Sequence, residues 1–351
     1  MLNPTVKKQL HEGVVIPAHP LALTETRQLD EASQRALTRY YIDAGVGGIA
    51  VGVHTTQFEI RDPEFNLFEK VLTLAIEEME KAQVGDSFIK IGGISGPTEQ
   101  AIKEAKFIKA VGYDFGLLSM GGLQNASEQE LLTRTKKVAE IIPVIGFYLQ
   151  PAVGGRKLSY DFWRQLADMP NVHGIKVAPF NRYQTLDVVR AVCHSSRNEE
   201  IAIYTGNDDN IVSDLLTTYR INVNGEKVEK QIVGGLLGHW SVWTKKTVDI
   251  FNQIKDARTA GQIPCELLTL GQEITDANAA FFDSNNQFKG SIAGINEVLA
   301  RQGLLKGRWC LLDKETLSPN QMEEIDRVYA EYPHLHDDAF VKKNLAKWFS
   351  K

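Results

Sequence analysis

The sequence predicts an α/β protein, a (β/α)8 TIM barrel followed by a C-terminal helical appendage. Three observations carry that prediction. Short apolar runs alternate with stretches of helical periodicity from Gly13 onward, eight such units are complete within residues 1–258, and residues 259–351 hold only helical patterns. Strict alternation means parallel strands joined by right-handed crossovers, and eight units in this length favour a closed barrel over an open sheet. The C-terminal region, 259–351, is expected to pack on the barrel.

The elements follow in order. Strand one is Gly13 to Ala18, and the helix from Asp30 to Asp43 is closed by the glycines of Ala44-Gly45-Val46-Gly47-Gly48. Strand two, Gly48 to Val53, ends in His54-Thr55-Thr56-Gln57, and a helix from Pro63 to Lys81 repeats Phe65, Phe68, Val71, Leu72 and Ala75 at helical spacing. Strand three is Ser87 to Ile91, with a helix from Pro97 to Val111. Strand four is Phe115 to Ser119, and Ser127-Glu128-Gln129-Glu130 opens the next helix as a capping box. Strands five, six and seven are Val144 to Tyr148, Val172 to Val177 and Ile201 to Tyr204, with helices from Ser159, Tyr183 and Asp209. Asn222 to Lys230 is hydrophilic and carries an Asn-Gly turn signal, which reads as a surface hairpin. Strand eight is Gln231 to Leu236, followed by a helix from Ser241 to Ala257. Four further helices are expected at Glu266 to Phe282, Gly290 to Arg301, Pro319 to Glu331 and Asp338 to Phe349.

Composition bounds the function. The chain of 351 residues is 43% hydrophobic and 24% charged, ordinary for a globular protein with a full core. A formal net charge of −5, with lysines and arginines scattered among acids, offers no stripe for nucleic acid. Three distant cysteines give neither a disulfide framework nor a zinc knuckle, and a reducing cytoplasm is the expected location. No uncharged apolar run approaches the ~20 residues of a membrane span, and the first residues hold no apolar signal core. No membrane partner, cofactor or metal is expected.

In a barrel the working residues sit at the C-terminal strand ends. Gly174-Ile175-Lys176-Val177-Ala178-Pro179 is an apolar run interrupted by one reactive side chain, and Gly146-Phe147-Tyr148-Leu149-Gln150-Pro151 is its neighbour one unit earlier. Strands five and six adjoin, so Tyr148 and Lys176 are expected ~5 Å apart if both point inward. A lysine attacks a carbonyl only when neutral, and burial beside Ile175, Val177, Phe147 and Leu149 would lower its pKa from ~10.4. Lys176 is the candidate Schiff-base nucleophile and Tyr148 the candidate proton relay. The amides and hydroxyls of Thr55 and Thr56 read either as a cradle for a substrate carboxylate or as caps of the following segment. His54 is placed to line the pocket, Gly206 and Gly235 end strands seven and eight as substrate-binding positions, and Arg156 is either a distal anion ligand or a surface residue. Asp208 and Asp209 read as helix caps, and His19 and His239 as loop or packing residues.

Gly52-Val53-His54-Thr55-Thr56-Gln57, Tyr148-Leu149-Gln150-Pro151, Gly174-Ile175-Lys176 and Gly206-Asn207-Asp208-Asp209 resemble, in order and spacing, the pattern of the dihydrodipicolinate synthase and N-acetylneuraminate lyase family over about residues 10–310. The resemblance implies a class I aldolase or lyase barrel, a homodimer or homotetramer, in which Lys176 forms an imine with pyruvate or another 2-oxo acid. It implies that Tyr148 relays protons and that the strand-two turn binds the carboxylate. The chain departs from the family pattern at three places. His54 stands at a threonine position and Gln57 at an acid, Ser119-Met120-Gly121-Gly122 lacks the strand-four tyrosine, and Val153 falls where the synthase has arginine. These departures argue against aspartate semialdehyde as the second substrate.

Two other classes stand beside this one. A metal-dependent barrel hydrolase needs clustered ligands such as His-x-His after strand one, and Ala18-His19-Pro20 offers one histidine. A barrel that binds a 2-oxo acid or sugar acid without turning it over is the second, allowed by the altered strand-two turn and the missing strand-four tyrosine and opposed by the intact Lys176 with Tyr148.

Overall fold

The computed structural model describes residues 2–350. In chain order the elements are α1 (Pro4–Glu12), β1 (Val15–Pro17), α2 (Glu31–Ala44), β2 (Gly48–Val51), α3 (Phe68–Lys81), β3 (Ile89–Ile94), α4 (Thr98–Ala110), β4 (Phe115–Ser119), α5 (Glu128–Ala139), β5 (Val144–Leu149), α6 (Tyr160–Asp168), β6 (Val172–Ala178), α7 (Arg182–Cys193), β7 (Ala202–Thr205), α8 (Ile211–Leu216), β8 (Thr218–Val223), β9 (Glu226–Leu237), α9 (Thr244–Ala260), α10 (Cys265–Phe281), α11 (Ser291–Arg301), α12 (Gln321–Glu331) and α13 (Asp338–Phe349). With β8 set aside, eight strands each precede a helix, and four helices follow, which is the expected order of a (β/α)8 barrel with C-terminal helices.

The chain divides into two compact units. One comprises Met1–Val14 with Asp86–Leu236, the other Val15–Gly85 with Leu237–Lys351. In the first unit β3, β4, β5, β6, β7 and β9 are parallel neighbours in that sequence. The residues of β3 to β7 and the last four of β9 are almost continuously buried, because helices cover parallel strands on the outer face while inward side chains fill the middle; the first half of β9 belongs to the exposed hairpin. The capping box read from the sequence is in place: Ser127 and Glu130 form the reciprocal pair that opens α5. The structure adds two caps, the Ser159 and Asn181 side chains accepting from backbone amides at the starts of α6 and α7. The hairpin is also as expected: β8 runs antiparallel to β9 around Asn224 and Gly225, both at positive φ (53° and 94°) as a two-residue turn of this hand requires.

One irregularity sets the site. Val144 pairs with Val172, but Ile145 pairs with Gly174, so His173 is an extra residue in β6. A bulge of this kind slips the ladder by one place, and a slip of one exchanges the two faces of the strand. Beyond it Phe147 lies opposite Lys176, and Tyr148 opposite Val177.

In the second unit β1 and β2 are parallel partners: Gly47 donates to the Val15 carbonyl, His19 to that of Ala50, and Ala18 bridges to Ala50. Asp30 caps α2 through a bond from the Ser33 amide. Two elements differ from the sequence reading. The helix expected from Pro63 begins at Phe68, because residues after Val53 make two 3-10 turns, His54–Thr56 and Phe58–Arg61. In the first unit, α1 has no counterpart among the expected elements; it buries only Val6 and Leu10, too few residues for a periodic signal, although Asn3 caps it and Pro4 opens it.

Candidate active site

Lys176 is 6% exposed and shares a strand face with Gly174 and Ala178 on β6, with Phe147 on β5 and with Tyr204 on β7. Its Nζ lies 4.2 Å from the centroid of the Phe147 ring. On the other side Gly206 follows the end of β7, and its amide donates to the Val177 carbonyl at 2.8 Å. A methyl at Gly206 would fall 2.6 Å from Lys176 Cε and 2.7 Å from Ala178 Cβ, so only glycine lets this turn close on the lysine stem. Burial in these surroundings lowers the amine to about 8, against the opposing pull of the Asp208 carboxylate. At neutral pH an appreciable share of the amine is therefore unprotonated and nucleophilic.

The bulge at His173 separates the two residues that the sequence reading places together. Tyr148 lies on the face shared with Gly146, whose Cα is packed against Leu166 and Trp163 of α6. Its ring sits 4.9 Å from that of Trp163, and its hydroxyl donates to Gln184 Oε1 of α7 at 2.9 Å while receiving the Leu158 amide at 3.4 Å. Tyr148 thus binds the strand to its covering helices instead of facing Lys176. The titratable group that does act on Lys176 within this unit is Asp208, 6% exposed. Asp208 and Asp209 do not cap α8: the cap position is Asn210, without a side-chain bond. Residues 208–209 form a turn ahead of Asn210, and Asp209 lies 3.8 Å from Arg182.

The remaining expected site residues fall as follows. Gly235 pairs with Thr205 and donates to the Val14 carbonyl. Arg156 donates through Nη1 to the carbonyls of Leu123 (2.9 Å) and Ala126 (2.6 Å), so it ties down the segment between β4 and α5. In the second unit the Thr56 hydroxyl donates to the His19 carbonyl (2.7 Å) and accepts from the amides of Gly52 (2.9 Å) and Val53 (3.2 Å), which uses its full capacity. Thr56 therefore shapes the turn, while Thr55, 5% exposed, stands outside that network. His54 lies beside Phe58, ring centroids 6.0 Å apart. Gln57 holds φ 67° and accepts the Leu311 amide at 2.6 Å. His19, bonded to Pro20, Thr38 and Gln34, and His239, stacked on Phe281, are packing residues that burial pushes down to about 4.

Two residues that sequence reasoning passes over prove central to the first unit, Asn207 and Asp214. Asn207 stands in a quoted motif, but its use depends on a partner seven residues on, which no spacing rule singles out.

The Dihydrodipicolinate synthetase family model matches residues 12–221. The chain is 24% identical over 322 residues to 4-hydroxy-tetrahydrodipicolinate synthase 2 of Clostridium acetobutylicum, covering 90% of this chain and 98% of that one. It is 22% identical over 315 residues to N-acetylneuraminate lyase 2 of Escherichia coli, covering 89% and 90%. Among solved structures, dihydrodipicolinate synthase from Oceanobacillus iheyensis superposes with a TM-score of 0.72 at 16% identity, over 93% of this chain and 98% of the other. N-acetylneuraminate lyase from Fusobacterium nucleatum complexed with pyruvate does so with 0.70 at 18%, over 93% and 99%. The fold is the (β/α)8 barrel with C-terminal helices that the sequence predicts.

Proposed function

The chain belongs to the dihydrodipicolinate synthetase family, and on that premise we propose that it is a Schiff-base lyase or aldolase in which Lys176 condenses with pyruvate or another 2-oxo acid. The single observation that carries this reading is a buried lysine, held at about 8, at the C-terminal end of β6 with its stem closed over by Gly206. A lysine kept there for stability alone would be an odd choice, since burial opposes its charged form more than the Asp208 carboxylate restores it.

In the reaction the neutral Nζ adds to the ketone carbon, the resulting carbinolamine loses water, and the protonated imine accepts the electron pair of the adjacent carbon–carbon or carbon–hydrogen bond as it breaks. Water loss needs a proton delivered to the departing hydroxyl, and enamine formation needs one removed from carbon. We assign that transfer to Asp208, the acid that acts on the amine, and give Tyr148 a scaffold role behind the strand.

The position of Tyr148 also favours a second reading, a barrel that binds a 2-oxo acid without turnover. Incubation with a panel of 2-oxo acids and borohydride, followed by peptide mapping, tests the first. A reduced adduct on Lys176 supports it; Lys176 unmodified by every acid refutes it. An adduct with no cleavage or condensation of any added aldehyde would select the second.

A further inference from the structure

Asp214, at the start of α8, is 1% exposed and carries four hydrogen bonds. Its Oδ1 accepts from Asn210 Nδ2 (2.9 Å) and Arg182 Nη1; its Oδ2 accepts from the Thr205 hydroxyl (2.7 Å) and Asn207 Nδ2 (2.9 Å). Asn207 is wholly buried and carries the connection onward. Its Oδ1 accepts the amide of Phe180 at 3.0 Å, its Nδ2 also donates to the Thr185 hydroxyl at 3.2 Å, and its own amide donates to Thr205 Oγ1 at 3.1 Å. Phe180 holds φ 52°, a left-handed conformation that a bulky residue adopts only when its surroundings enforce it.

The two side chains therefore bolt the end of β7 and the segment after it, residues 205–208, to the β6–α7 connection at Phe180 and the first turn of α7 at Arg182 and Thr185. Lys176 lies at the inner side of that joint. Gly206 sits between Thr205 and Asn207, both held by Asp214, and it is Gly206 that presses on the Lys176 stem. Asp208 is the next residue along the same turn. A buried carboxylate with its lone pairs filled by donors from three segments fixes geometry in a way a packed apolar contact does not.

We infer that Asp214 and Asn207 are positioning residues for the Lys176 amine: they clamp the two turns together and so hold the lysine stem between Gly206 and Phe147, with Asp208 set beside it. The inference deepens the Schiff-base reading and rests on it for its functional meaning. Neither residue touches the reacting atoms. Loosening the clamp admits water beside Nζ and lets the stem leave the Phe147 ring, and the amine then titrates closer to an ordinary lysine.

The test is the titration of Lys176 in the full chain, measured by competitive trace acetylation between about pH 6.5 and 10.5 with mass-spectrometric quantitation, which needs no substrate. In Asp214→Asn the carboxylate that receives Thr205 and Asn207 is lost, and the midpoint of Lys176 is expected to rise by about one unit, a tenfold fall in neutral amine at pH 7. Pyruvate trapping at pH 7 should fall by the same factor and recover toward wild type at about pH 9. Thr205→Val, which removes one of the four donors to Asp214 together with the acceptor of the Asn207 amide, should give a smaller shift in the same direction and covers the case in which Asp214→Asn does not fold. Asp276→Asn, which breaks the Arg327 and Tyr332 cluster in the other unit, is the control for destabilisation alone. A lowered melting temperature with an unmoved Lys176 midpoint in Asp214→Asn, or in Thr205→Val where the first does not fold, overturns the inference. If wild type fails to trap any 2-oxo acid, the Schiff-base reading falls, while the titration still decides whether the clamp sets the amine.

Discussion

Phe147 and Lys176 face each other across β5 and β6, with the lysine Nζ 4.2 Å from the ring centroid. Burial disfavours the ammonium form and the Asp208 carboxylate favours it, with an amine lowered to about 8 as the outcome; the ring face beside Nζ is a further attraction for the cation.

Replacing Asp208 by Asn separates charge from proton transfer. Loss of the carboxylate removes the influence that raises the Lys176 pKa, so the pH profile of imine trapping should move to lower pH. Turnover should nevertheless fall by about 10²-fold or more, the usual contribution of a positioned acid or base. Unchanged turnover would remove Asp208 from the mechanism.

Tyr148→Phe deletes the bonds to Gln184 and the Leu158 amide. A stability loss of about 1 kcal/mol is expected, with trapping and turnover changed less than about threefold. Thermal melts and steady-state kinetics on one preparation check both. Loss of turnover with stability intact would restore Tyr148 as the proton relay.

Lys176→Met exchanges a buried amine for an apolar chain of similar length. The folded amine titrates near 8 and the unfolded one near 10.5, so between those values the unfolded state binds more protons and wild-type stability rises with pH. The variant should be more stable than wild type by roughly 1–3 kcal/mol below pH 8, the difference narrowing toward about pH 10.5. Denaturant melts at neutral and alkaline pH measure it.

Glu315 provides an independent pH effect. Burial, with Glu59 adding repulsion and Lys314 opposing it, raises its carboxyl to about 7 from 4.5. A raised acid is protonated in the fold, so this contribution is present below 4.5 and lost as pH rises through 7. Glu315→Gln should flatten the decline in melting temperature between those values, and an unaltered slope would contradict the assignment.

The barrel order was legible because each strand and helix has its own periodicity and end signals, as at the Ser127 capping box. Lys176 was legible because it interrupts an apolar strand. The partnership with Tyr148 was not settled by spacing: pairing Val144 with Val172 and counting four residues onward does place Tyr148 opposite Lys176, but the bulge at His173 shifts every later pair by one. A single extra residue in a strand has no compositional signature. The Asp214 clamp was hidden for a different reason, since hydrogen bonds among Thr205, Asn207, Arg182 and Asn210 are tertiary relationships converging on one carboxylate.

The proposed role of Lys176 as nucleophile depends on its depressed pKa. The most direct measurement is the pH dependence of pyruvate trapping by borohydride, located by peptide mapping. Adduct confined to Lys176, with a rate that rises to half its maximum near pH 8, is the predicted result. Adduct spread over exposed lysines, or a Lys176 rate still climbing above about pH 10 like that of an ordinary amine, would contradict it.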